Sequence, residues 1–354
     1  MPSPITGFGQ TLGIKKASAW NVPAVCGTGN GLPFLSGQAG REAALSVAKS
    51  RGVSVANNAT PGPIDCQAPY KFALRYEGFD VLLAHFMGIA GVPVQQGATI
   101  AYQNILKWSP DIYGLFVTAA KNMTTYIEEI PTAKIAGITL SGEVGSEPLE
   151  LEVELIGSNK EVASVVNTLA TFANVTNYGI LPLPTMFSHL QFRMNDQSGL
   201  ALAAGDVIYP SKFSLSAKRN LLGEYTGEYR TTGANPQDLR DEPSNNGLPD
   251  ISLKLDFAKH TAATFLTALG NDTRKKMDII ATGPLIADTY YYQHKLQLPH
   301  LQLKNAKPTD DQGRLKEPLE FLVHAASAAP AGMTGITDPF WWTVINKRTG
   351  DPLQ

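Results

Sequence analysis

Few residues in this chain stand at spacings that could do covalent chemistry. Gly27-Thr-Gly-Asn-Gly31 has the composition of a phosphate-cradling loop. Such a loop follows a strand, carries a Lys-Ser/Thr pair and opens a helix, and none of these surrounds it, so it reads as a plain loop. The six histidines are scattered. His294 and His300 are spaced to share one strand face, but no cysteine or acidic pair nearby completes a metal set. His85 lies among the apolar residues of Phe79 to Ile89 and reads as a packed imidazole with one nitrogen satisfied. Glu128-Glu129 and Asp310-Asp311 are adjacent in sequence. In a strand they point to opposite sides and cannot face each other as acid and base. Neither a Gly-x-Ser-x-Gly elbow nor an HExxH pair occurs. No catalytic, cofactor-binding or metal-binding residue is expected.

What remains is electrostatic. Leu149, Leu151, Val153 and Leu155 alternate with Glu150, Glu152 and Glu154. A two-residue period sends the apolar side chains to one face and the carboxylates to the other, as in a half-buried strand. Between Lys134 and Lys160 there are several glutamates and no Lys or Arg. Like charges across a ladder repel, so the stripe is either a solvated outer face, the simpler reading, or a wall that must not hold a polyanion.

The elements that position this stripe come in two sets. Ile130 to Gly157 reads as two strands joined by a turn. A partial copy, Leu298 to Ala325, opens with Leu-Pro where the first opens with Ile-Pro. It carries Glu317-Pro-Leu-Glu where the first has Glu147-Pro-Leu-Glu. A Pro at the first residue of each strand fits its missing N–H. Ahead of the first pair lie a strand at Tyr70 to Tyr76, a helix at Phe79 to Ile89, and strands near Thr99 to Lys107 and Tyr113 to Ala119. Ahead of the second lie a strand at Asp250 to Phe257, a helix at Thr261 to Leu269 and a strand at Met277 to Ala287. Asn159 to Phe172 is expected as a short helix, with further strands at Met186 to Met194 and Asp206 to Arg219.

Four segments result: an irregular N-terminal arm over 1–60 whose one helical signal is Arg41 to Lys49, a first half over 61–185, a second half over 186–330 with a long polar loop at 223–247, and a C-terminal arm over 331–354. The loop is expected to be exposed in a monomer. The arms, and Phe340, Trp341 and Trp342 in particular, are expected to bury surface on neighbouring subunits.

The 354 residues are 43% hydrophobic and 17% charged, with a net charge of −2. Such a balance suits a globular chain with a large core and a surface partly covered by other protein, and argues against nucleic-acid binding as the main task. There is no apolar run of about 18 residues, and the N-terminus lacks a signal-peptide layout. Cys26 and Cys66 form no CxxC and read as free thiols of a protein made in a reducing cytoplasm.

Taken together, RYEGFDVLLAHFMGIAG, the Pro-opened strands IPTAKIAGITLSGEVG, YPSKFSLSAKRNLLG and LPHLQLKN, and the hairpin region ahead of DEPSNNGLPDISLKLDF resemble the major tail tube proteins of long, non-contractile-tailed bacteriophages over Tyr70 to Ala325. The resemblance implies a mainly β, α+β fold, a tail-tube β-sandwich with short flanking helices, here internally duplicated. It implies a structural virion protein, made in the host cytoplasm, whose rings stack into a tube that passes DNA. Its partners would be further copies of itself, the tape measure, terminator and tail-tip proteins, and DNA in transit without specific binding, with no cofactor and no membrane. Because a usual tube subunit supplies one sandwich and this chain two, a trimer is expected rather than a hexamer. Glu150, Glu152 and Glu154 then become candidates for the lumen wall. An alternative from another class is a tail-tip adhesion or carbohydrate-binding β-protein, with Tyr290, Tyr291, Tyr292, Trp341 and Trp342 as an exposed platform.

Overall fold

The computed structural model describes residues 10–47, 59–145, 147–162, 164–177, 184–225, 231–232, 235–236 and 240–354. The chain begins with β1 (Leu12–Lys16), β2 (Ser36–Gly37), β3 (Gly40–Val47) and β4 (Ala59–Ala73), then α1 (Asp80–Met87). There follow β5 (Tyr102–Trp108), β6 (Val117–Asn122), the long β7 (Ile127–Glu143), β8 (Glu150–Gly157) and the one-turn α2 (Leu169–Phe172). The second half contains β9 (Leu190–Asp196), β10 (Lys212–Lys218), β11 (Asp250–Phe257), α3 (Thr264–Gly270), β12 (Lys275–Ala287), β13 (Tyr290–Asn305), β14 (Thr309–Asp311), β15 (Arg314–Val323) and β16 (Trp341–Asn346). The fold is mainly β, with large antiparallel sheets and few short helices.

Strict alternation builds the central sheet. β8 is buried at every second residue, as are β10 and most of β11. These strands pair in the order β4–β8–β7–β10–β11–β15–β13. One apolar row crosses all seven in register: Phe72, Leu151, Leu140, Leu215, Leu253, Phe321 and Leu303. Each is buried, and burial of one such side chain contributes about 1.5–3 kcal/mol. The row therefore pins the register, since a one-residue slip would turn all of it to solvent.

Within that order one arrangement occurs twice. β8 lies between the long strand β7 and the helix-preceding strand β4. β15 lies likewise between the long strand β13 and the helix-preceding strand β11. Leu151 and Phe321 occupy the same place in the two sets. Both long strands also change partners midway. β7 pairs with β6 as far as Ala133 and then with β10 on that side, and β13 pairs with β12 as far as Leu301.

The change of partner corrects the placing of the prolines. Pro131 and Pro299 do not open strands. They sit inside β7 and β13, where the registers shift between Ile130 and Ala133 and opposite Lys275–Met277. A residue without an N–H is tolerated where the ladder is already irregular.

Three further expectations differ from the structure. Arg41–Val47 belongs to strand β3, because its ladder partner β4 outweighs a weak helical spacing; residues 48–49 lie outside the described residues. Among the described residues of 159–172 the only helix is the four-residue α2, with Thr168 capping the Thr171 N–H and Phe172 its one buried residue, and Glu161–Val162 is extended. The preceding residues are held elsewhere, Glu161–Val162 by pairing with Glu128–Glu129 and Asn167 by its bonds to Cys26 and Ala24. The N- and C-terminal segments are not free arms: β1 pairs with β6 along its whole length, and β16 is wedged between β13 and β5. Of the polar loop, 226–230, 233–234 and 237–239 lie outside the described residues. Its described end is anchored, since Glu242 meets the buried Lys134 ammonium at 2.6 Å.

The helix α1 packs against β7, β5 and β1. It ends at Gly88, whose φ of 92° and 2.6 Å Cβ clearance from Ser109 both call for glycine. The buried Arg219, at the end of β10, donates to the carbonyls of Phe86 (2.9 Å), Met87 (3.2 Å) and Ser109 (2.9 Å) and lies 3.9 Å over the Trp108 ring. The Phe86 and Met87 carbonyls are ones that a helix terminus cannot satisfy from within, and the bond to Ser109 ties the same guanidinium to the end of β5. Burial pushes the Arg219 guanidinium down to about 10.

Candidate functional site

The other side of the seven-stranded sheet is polar along its central rows, with Leu322 the one apolar residue in them. Directly behind the apolar row runs Lys71, Glu152, Thr139, Ser216, Ser252, Leu322 and Gln302. A second row on the same face carries Glu150, Ser141, Ser214, Lys254 and Glu320. Short hydroxyls occupy the middle and charges lie to either side, so the face is smooth and wet. Thr139 Oγ1 donates to Ser216 Oγ at 3.3 Å across the join between the halves.

Glu150, Glu152 and Glu154 do share this face, but they are not a bare acidic stripe. Lys71 of β4 reaches Glu150 at 2.8 Å and Glu152 at 3.5 Å, and Lys218 of β10 reaches Glu154 at 2.6 Å. Lys212 meets Glu143 at 3.2 Å and Lys304 meets Glu320 at 3.1 Å. The hydrogen bond and charge of Glu150, then the charge of Glu152, raise the Lys71 ammonium above its ordinary value. The neighbours that neutralise the stripe lie far away in sequence, which is why the run of glutamates looked uncompensated.

Phe340 and Trp342 have no side-chain surface to offer a neighbouring subunit. Both are fully buried in the chain's own core, Phe340 5.7 Å from the Trp108 ring and Trp342 donating its Nε1–H to His294 Nδ1 at 3.2 Å. β16 is a central strand here, so its alternate residues face the core. Trp341 is partly exposed, with the Lys107 ammonium 4.4 Å from its ring centroid. The aromatic platform of the tail-tip alternative is likewise dispersed. Tyr292 is buried and donates to Glu77 Oε1 at 2.8 Å, Trp342 is internal, and Tyr291 is half exposed.

The histidines separate as well. His294 faces the core, its Nε2–H donating to the Arg75 carbonyl at 3.0 Å, and burial lowers its pKa. His300 lies beyond the irregularity at Pro299 and falls on the polar face with Gln302. The shift of register there reverses the alternation that placed both on one side. His85 is packed, with Nδ1 at 2.8 Å from the Val81 carbonyl. Cys26 and Cys66 are free and buried, and burial pushes both thiols up to about 12.

Sequence reasoning missed Arg219 and the lysines of the polar face. The signal for Lys218 and Lys212 was present in the alternation of Phe213, Leu215 and Ala217 with polar residues, which fixes their face. Nothing local marked Lys71 as the partner of Glu150 and Glu152.

No helix among the described residues is long and apolar enough to cross a membrane. No curated protein matches the chain. A family model described as phage tail tube protein matches residues 7–344, and the chain belongs to that family, a component of the virion tail.

Proposed function

We propose that copies of this chain close into rings that stack into the tail tube, with the polar face of the β4–β13 sheet lining the channel through which DNA is ejected. The observation that carries this reading is the continuous seven-stranded sheet, apolar on one side and, Leu322 apart, hydrophilic along the two central rows of the other, running through both halves in one register. A DNA conduit needs a wall that the phosphates neither bind nor stall on. Lysines free to neutralise phosphates would release counterions and add salt-dependent affinity, repeated in every ring. On this face Lys71, Lys212, Lys218 and Lys304 are each held by a glutamate, and Lys254 stands beside Glu320 in the ladder, so the positive charges are matched by carboxylates.

The two similar halves favour a trimeric ring over a hexameric one, since each chain brings two strand sets. Tape measure, terminator and tail-tip proteins would complete the tail. The test is the triple charge reversal Glu150→Lys, Glu152→Lys and Glu154→Lys in assembled particles. Tubes should form, DNA ejection should slow, and added salt should restore it, because screening shortens the reach of these charges to a few Å. Ejection at the normal rate would place this face away from the DNA. Negative-stain images of the purified protein should contain rings or tubes.

A further inference from the structure

The open ends of the central sheet repeat what the chain closes inside itself. The internal junction is the β7–β10 ladder, in which Ile138, Thr139 and Leu140 pair with Ala217, Ser216 and Leu215. Each side of that ladder has a counterpart at an open end. β13 stands to β15 as β7 stands to β8, which sets Leu301, Gln302 and Leu303 in the places of Ile138, Thr139 and Leu140. Leu35-Ser36-Gly37-Gln38 stands to β4 as Leu215-Ser216-Ala217-Lys218 stands to β11. Ser36 pairs with Lys71 and Gly37 with Tyr70, as Ser216 pairs with Ser252 and Ala217 with Ile251. Even the approach is shared: Leu32 pairs with Leu12 on β1, and Ile208 pairs with Phe192 on β9.

What differs is the cover. Leu215 is 1% exposed, and its counterpart Leu35 is 58% exposed. Among the described residues no ladder takes the outer edge of Leu35–Gln38 or of Gln302–Asn305. The ladders wrap most strands into one barrel-like sheet, yet none joins these two ends. A groove of about 890 Å³ runs along Leu32–Gly37, bordered by Lys121 and Val175. The matching depression of the second half, at Val207–Ser211, is where the β7–β8 turn arrives, Val144 N–H donating to the Ser211 carbonyl at 2.9 Å. In the single chain, Lys121 and Lys160 donate to the carbonyls of Gly37 and Ala39 at 3.0 Å each, and lysines are a common shield for an open edge.

We propose that neighbouring copies of the chain join through these two edges, in the register of the internal junction. Leu303 of one copy lies opposite Leu35 of the next, Gln302 opposite Ser36 and Leu301 opposite Gly37. The turn after Asn305 enters the groove along Leu32–Gly37, as the β7–β8 turn enters its counterpart. The joint covers Leu35 and extends both the apolar row and the polar face unbroken from copy to copy. This inference rests on the reading of the chain as a self-assembling tube subunit, and it fixes the surfaces and the register by which it assembles.

The test is Ser36→Cys combined with Gln302→Cys, the positions that copy Ser216 and Thr139. The native thiols do not interfere, because Cys26 and Cys66 are buried and poorly ionised. Oxidation of assembled particles should give a series of covalent oligomers on a denaturing gel, and neither single variant should. Rings visible by microscopy without crosslinks would overturn this pairing and leave the tube reading standing. A wild-type chain that remains monomeric up to its solubility limit would overturn both. A second variant, Leu35→Asp, changes a side chain exposed in the subunit and should leave its circular dichroism unaltered. It should raise the concentration needed for assembly by about tenfold or more, since a carboxylate would be buried at the joint. Assembly at the wild-type concentration would overturn the proposal.

Discussion

Seven of the eight residues of α1 are buried, whereas α3, at the same place in the second strand set, buries only Ala268. The sequences of the two helices do not by themselves explain this, since both carry leucine and phenylalanine. The difference lies in what the rest of the chain lays over them. α1 is covered by the C-terminal segment, where Asn346 Nδ2 donates to Asp80 Oδ1 at 2.9 Å, and is capped by Arg219 from β10. Among the described residues no comparable segment covers α3, whose Leu266 is 37% exposed. The first half's helix is covered by the second half and the C-terminal strand, while the second half's helix lies open, and each half keeps one open sheet edge, at Leu35–Gln38 and at Gln302–Asn305. These open surfaces are what assembly has to work with.

The largest effect should come from removing the cover. Trp342→Ala takes away the largest fully buried side chain, on the strand that joins β13 to β5. Urea unfolding should report a loss of about 3–5 kcal/mol. Trp341→Ala, one residue earlier and partly exposed, should cost less than about 1 kcal/mol. Equal losses would mean that β16 is not the strap that closes the first half.

The helices themselves give the next contrast. Leu83→Ala in α1 should destabilise by about 2–5 kcal/mol, whereas Leu266→Ala in α3 should stay within about 0.5 kcal/mol. A large loss at Leu266 in the isolated subunit would erase the distinction between a covered and an uncovered helix.

Much of this architecture was legible in the sequence, and for one reason. Wherever a strand is half buried, its two-residue period is written in the residues themselves, as in Leu149–Leu155, Phe213–Ala217 and Ile251–Phe257. The places where the reading failed are those decided by partners distant in sequence. Arg41–Val47 is a strand because β4 lies alongside it. Pro131 and Pro299 mark exchanges of partner that no local pattern records. Phe340 and Trp342 looked like surface residues awaiting a neighbour because nothing local shows that β16 is central. The candidate face was legible as a face, but not its charge balance, since the lysines that neutralise it come from β4 and β10.

Acid should weaken the covered half. Burial, reinforced by Lys16 and Arg348 and opposed by the Val81 carbonyl and Asp351, pushes the His85 imidazole down to about 4 from 6.5. A folded pKa below the unfolded one means that the unfolded chain takes up the proton first. The contribution is complete above about pH 6.5 and is lost as pH falls toward 4, up to about 3 kcal/mol at 1.36 kcal/mol per unit. Urea midpoints between pH 7 and pH 4.5 should therefore drop, and His85→Leu should flatten the drop. His294 is lowered by burial in the same sense and leaves a residual slope. An unchanged slope in His85→Leu would remove His85 from this account.

The smallest effect separates the two halves of the polar face. In the first half Lys71 stands between Glu150 and Glu152, with side chains 42%, 38% and 32% exposed. In the second, the places of Glu150, Glu152 and Glu154 are taken by Glu320, Leu322 and His324, and only Glu320 needs a lysine, Lys304. Exposed pairs of this kind are weakened by solvent screening and by the entropy of holding two long side chains, so Lys71→Ala should change stability by less than about 1 kcal/mol. Its electrostatic part should be larger at low ionic strength and vanish near 1 M salt, where the screening length is about 3 Å. Lys304→Ala should change less than Lys71→Ala, because it uncovers one carboxylate rather than two. Unfolding at low and high salt for both variants measures this. A loss at Lys71 that salt does not reduce would mean that its stem packs on β8, and that the first-half stripe is held by contact rather than by charge.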